Sequence, residues 1–97
     1  MSSDDSVKPT NRDEVEQAVR KLMAEVLLID AKQAAGFDME EPGVLTALGV
    51  TSIDAFELIV SIEELFGFEF DDQELSPDLV DPLGRLISSV CLKIGIA

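Results

Sequence analysis

The stretch LGVTSIDAFELIVSIEELFG, Leu48 to Gly67, decides the fold. Ile53, Phe56, Ile59, Val60, Ile62, Leu65 and Phe66 recur at helical intervals. Thr51 stands where an N-cap belongs, and Asp54, three residues on, completes a capping box. Gly67 is the stop signal that a helix end favours. The stretch therefore predicts a helix that opens at Ser52 and closes at Phe66.

Upstream, the same period appears again. Val15, Ala18, Val19, Leu22, Met23, Val26 and Leu27 share one face, and Thr10 or Asn11 can cap them with Asp13 or Glu14. A first helix is expected over residues 12–29. Residues 30–50 hold no long periodic run and contain Gly36, Pro42, Gly43 and Gly49 around the acidic DMEEPG. A loop of about 20 residues is long for a compact domain and is often functional. Phe37, Val44, Leu45 and Leu48 are its expected anchors.

Downstream, FEFDDQELSPDLV reads as a connection with a short third helix near residues 72–76. DPLGRLISSVCLKIG then carries an apolar stripe of Leu83, Leu86, Ile87, Val90 and Ile94. Asp81 is the expected cap, Pro82 the first helical residue and Gly95 the stop. The total is three substantial helices and a short one, with no strand signal of comparable strength. The expected fold is all-α, a small four-helix bundle over residues 12–97 behind a flexible polar tail, residues 1–11.

Ninety-seven residues suffice for one small domain. Seven Lys+Arg against twenty Asp+Glu give a formal net charge of −13. That balance opposes binding to nucleic acid or to anionic membranes, and it suits partners with basic patches. The one cysteine, Cys91, lies in an apolar run and reads as a buried thiol. With no leader-like segment and no membrane-length apolar run, the expected setting is the cytoplasm, and the expected state is a monomer.

Zero histidines and one cysteine remove Ser-His and Cys-His pairs and zinc sets. GVTS lacks the glycines and lysine of a phosphate loop, and DDQEL lacks the spacing and glycine of a calcium loop. Catalysis by the chain's own side chains is not expected, nor is a metal. Taken alone, Ser52 is a first-turn serine whose hydroxyl can satisfy orphan amides.

The wider run LGVTSIDAFELIVSIEELF, Leu48 to Phe66, resembles the signature of the acyl carrier proteins and their peptidyl and aminoacyl carrier relatives. Leu-Gly, two variable residues, Ser, an apolar residue, Asp, two more, Glu-Leu and a Glu-rich end before Phe are all in register. The order of elements over residues 12–94 follows that family too. The resemblance implies that Ser52 carries a 4′-phosphopantetheine arm, attached from coenzyme A by a separate transferase. The arm would hold acyl or aminoacyl groups as thioesters for condensing and transfer enzymes. Such a chain is not itself an enzyme.

By the same resemblance, Asp54, Glu57, Glu63 and Glu64 take the acidic recognition positions and Val60 that of an exposed apolar contact. The alternatives are a solvated helix face for the acids and simple core for Val60. Phe56, Ile62, Leu65 and Phe66 are expected in the core, where they could line a space for cargo. Many family members have Asp immediately before the serine. Thr51 stands there instead, which turns the expectation from the housekeeping carrier of fatty acid synthesis towards polyketide or other specialised pathways. The rival function is an unmodified acidic helical adaptor on the same fold. A weaker rival is a small divalent-ion buffer.

Overall fold

The computed structural model describes residues 9–96, and every regular element among them is helical. Met1–Lys8, most of the expected tail, lie outside the described residues. The order is α1 (Arg12–Val26), α2 (Ala31–Ala35), α3 (Val44–Ala47), α4 (Ser52–Phe66), two 3₁₀ turns (Asp72–Glu74 and Pro77–Val80) and α5 (Leu83–Ile94). The three long helices stand where the apolar periodicity places them.

Helix α1 opens on Asn11, whose side chain accepts the Glu14 amide at 2.9 Å. The Glu14 carboxylate reaches back to the Thr10 amide and hydroxyl, at 2.7 and 3.0 Å. Its other end is a correction. The helix stops at Val26, not residue 29, because Leu28 turns left-handed at φ 56°. The Leu27 and Ile29 amides then bond back to the Met23 and Ala24 carbonyls, closing the last turn.

The expected long loop contains two short helices. Asp30 caps α2 through the Lys32 amide. Gly43, at φ +78°, turns the chain into α3. Neither helix is long enough to show a periodic stripe, so the sequence pattern is silent there. Leu45 is buried, while Phe37, Val44 and Leu48 are half-buried.

Two further expectations change. The single short helix near residues 72–76 is a pair of 3₁₀ turns divided at Leu75 and Ser76. Pro82 is the residue before α5 and not its first helical residue. Asp81 does not cap α5; its Oδ1 accepts the Gly43 amide at 2.6 Å.

One core joins the long helices. Val15, Val19 and Met23 of α1 meet Leu58, Ile59 and Ile62 of α4, and Leu83, Leu86, Ile87, Val90 and Cys91 of α5. Met39, Leu45, Phe70 and Leu79 close it from the connections. Cys91 is buried as read. Ile62 is buried and Phe66 half-buried, but Phe56 and Leu65 are 53% and 47% exposed and are not core. Ile53 is 73% exposed. Helix α4 carries more apolar residues than its inward face can cover, so some must face water.

Gly84 explains how the loop reaches α5. Its amide donates to the Met39 carbonyl at 2.7 Å. A Cβ there would lie 3.1 Å from that carbonyl oxygen and within contact of the Glu40 carboxylate. A bare backbone lets the loop lie directly on the helix.

Candidate functional site

Ser52 is the first residue of α4 and is exposed. The neighbouring hydroxyl does the capping: Thr51 Oγ1 accepts the Asp54 amide at 3.1 Å. The Asp54 carboxylate returns the bond to the Thr51 amide at 3.3 Å. The Ala55 amide bonds to the Thr51 carbonyl. That leaves the Ser52 hydroxyl, and the Ser52 and Ile53 amides, without a hydrogen-bond partner among the described residues. The cap reading of Ser52 therefore loses its ground, since the cap is already filled by its neighbour.

This arrangement has a definite chemical character. A free hydroxyl stands beside two unpaired amides at the positive end of a 15-residue helix. Such an end favours a phosphate group. The chain has no histidine to pair with the serine.

Beside the serine lies a groove of about 300 Å³. Ala55, Phe56 and Ile59 of α4 form one side. Leu45, Thr46 and Val50 come from α3 and the turn after it. Leu75, Ser76, Val80 and Asp81 complete the opposite wall, and Thr51 and Ser52 stand at the rim. The lining is mainly apolar. Two of its walls are tied together by the Asp81–Gly43 hydrogen bond, which joins the end of the second 3₁₀ turn to the start of α3.

The acidic positions of α4 divide by environment. Glu57 and Glu64 are exposed, seven residues apart and so on one face. Asp54 is half-buried and occupied in the capping box. Glu63 is half-buried, and its Oε2 accepts the Phe70 amide at 2.7 Å across the turn after α4. Val60 is half-buried. The exposed Ile53 and Phe56 beside Ser52 escaped the sequence reading as surface residues. The signal was present in the surplus of apolar positions around α4.

The far wall of the groove is held from behind. Lys93 of α5 pairs with Glu74 at 2.8 Å and stands 6.0 Å from the centre of the Phe70 ring. The Glu74 carboxyl is lowered from its ordinary value by the Lys93 hydrogen bond and then by the Asp71 amide. Lys93 is raised by its bond to Glu74.

Comparison with known proteins places the chain in a family. Residues 17–80 match the family described as "Phosphopantetheine attachment site". The chain is also 28% identical over 85 residues to an acyl carrier protein of Thermotoga maritima, covering 88% of this chain and 98% of that protein. No solved structure matches. The chain belongs to the acyl carrier protein family, whose prosthetic group is covalently attached 4′-phosphopantetheine. The residues at the start of α4 fit such a group. They present an open hydroxyl for the ester link, two unpaired amides for the phosphate and an apolar groove alongside. When bound, the group supplies a thiol that holds acyl groups as thioesters.

Proposed function

We propose that Ser52 is the attachment point for 4′-phosphopantetheine, and that this chain carries acyl or aminoacyl groups between enzymes that load and consume them. The observation that carries this reading is the division of labour at the start of α4. Thr51 closes the helix while Ser52 is left exposed, without a hydrogen bond among the described residues, at the rim of an apolar groove. A serine retained for helix stability would use its own hydroxyl. Chains of the family are carriers, so the catalytic steps fall to the transferase and to the acyl-handling enzymes.

The surface around Ser52 supplies a reading face for those enzymes. Glu57 and Glu64 are the acids free to meet basic patches, with Asp54 and Glu63 adding charge while holding the fold. Exposed Ile53 and Phe56, with half-buried Val60, give the face an apolar part. Charge complementarity of this kind raises the rate of encounter more than the final affinity. Among the described residues no helix is long and apolar enough to cross a membrane. A cytoplasmic, monomeric carrier serving fatty-acid, polyketide or related specialised synthesis is consistent with all of this. Thr51 in the position before the serine favours a specialised pathway.

Intact mass before and after incubation with coenzyme A and a broad-specificity phosphopantetheinyl transferase tests the assignment. A gain of one phosphopantetheine in the native chain, absent in Ser52→Ala, is the expected result. Loading of Ser52→Ala would overturn it. No loading of a folded native chain by several transferases would favour the unmodified adaptor.

A further inference from the structure

The groove beside Ser52 is not uniformly apolar. Apart from Thr51 and Ser52 at its rim, its polar lining residues are Thr46, Ser76 and Asp81. Asp81 meets α3 at its N-terminal end, through the Gly43 amide, whereas Ser52 follows the C-terminal end of α3. Only Oδ1 of Asp81 is engaged; Oδ2 has no hydrogen-bond partner among the described residues. No Lys or Arg lines the groove. A carboxylate thus stands on the groove wall, fixed in place by a backbone amide and not matched by a cation.

From this placement we infer that the groove is selective for cargo bearing an ammonium group, and that Asp81 is the residue that reads it. The inference rests on Ser52 being the attachment point. A plain alkyl chain laid in the groove would cover the Asp81 carboxylate and take water from it, which is unfavourable for a charged oxygen without a partner. A chain ending in an ammonium gives that oxygen a charge-assisted hydrogen bond, with Thr46 and Ser76 as neighbouring hydroxyls. Leu45, Ile59, Leu75 and Val80 cover the methylenes of either chain equally. The difference therefore lies at Asp81. A site that offers a positioned polar partner discriminates strongly against a ligand lacking the complementary group.

The test loads the native chain, through the transferase, with two coenzyme A conjugates of matched length, the adenine nucleotide leaving as the phosphodiester to Ser52 forms. One carries a 6-aminohexanoyl group and the other a heptanoyl group, each joined by an amide in place of the thioester. Intact mass reports loading, and hydrogen exchange of the amides in residues 43–47 and 76–81 reports groove occupancy. The aminohexanoyl cargo is expected to slow exchange there about tenfold more than heptanoyl, from the ordinary strength of a hydrogen bond to a charged group. Asp81→Asn keeps an acceptor for the Gly43 amide and should erase the difference. Equal or greater protection by heptanoyl, or a difference that survives Asp81→Asn, would overturn the inference while leaving Ser52 in place. Failure of both conjugates to load would overturn the Ser52 assignment, and this inference with it.

Discussion

Glu63→Ala should be costly to stability, although its position in the acidic face invites substitution as a simple surface change. Its Oε2 accepts the Phe70 amide at 2.7 Å. That bond joins the end of α4 to the segment that builds the far wall of the groove. Phe70 is 6% exposed and packs edge-on against Phe68, with ring centres 4.9 Å apart. Removing the carboxylate leaves a part-buried amide without its charged acceptor, a loss of about 1.5–3 kcal/mol. For a domain of this size each kcal/mol moves Tm by about 4–8 °C. A loss near 2 kcal/mol thus lowers Tm by about 8–16 °C. Urea unfolding followed by circular dichroism measures it, with an unchanged m-value showing that the comparison is of like with like. Glu63→Gln retains an acceptor and should lose about half as much. Glu64→Ala, exposed and without a hydrogen bond among the described residues, should stay within about 0.5 kcal/mol of native. If Glu63→Ala and Glu64→Ala are equally mild, the amide bond is not what holds this turn. The same pair then guards partner-binding experiments: weakened binding by Glu63→Ala counts as recognition only beside a destabilisation control.

Gly84→Ala pits a helix-propensity gain of roughly 0.5–1 kcal/mol against crowding of the Met39 carbonyl, which costs about 1–3 kcal/mol. A net loss near 1 kcal/mol in urea unfolding is expected, and a stabilised variant would show that the loop moves aside freely. Leu28→Gly should stabilise by about 0.5–1 kcal/mol, because only glycine adopts a positive φ without steric cost; a loss would mean that the exposed leucine has a partner within the fold. Glu74 has a lowered carboxyl pKa, so its contribution is full above the ordinary value of 4.5 and is lost as pH falls through the folded value. Lys93, raised above 10.5, loses its share as pH rises through its own folded value. Thermal melts of Lys93→Met against native should therefore differ most between these limits and converge in acid, and a constant gap across pH would rule out the ion pair as its source.

The long helices were legible because each has enough turns to display its stripe, and because Asn11 and Thr51 announce two of their beginnings. Helices of four or five residues leave no period to read, so α2 and α3 look like loop in the sequence. Asp81 misled for a different reason: an aspartate before a proline and an apolar run is a good local cap. A bond to Gly43, 38 residues away, took its carboxylate instead. Residue type alone points Phe56 and Leu65 to the core, whereas the limited inward surface of α4 decides which apolar residues go inside. Ser52 was legible as a position but not as a free hydroxyl. Only the Thr51 and Asp54 bonds show that its neighbour has taken over the cap.

That neighbouring threonine has a consequence for the life of the molecule. If the serine closed its own helix, every esterification would unpick a turn and every hydrolysis would remake it. With closure handed to Thr51, the helix start can stay the same whether Ser52 is bare or carries the arm proposed for it. The chain could then be charged and stripped repeatedly as one unchanging body, and an enzyme would have to tell the two forms apart by what hangs from the serine, with little help from the shape beneath it.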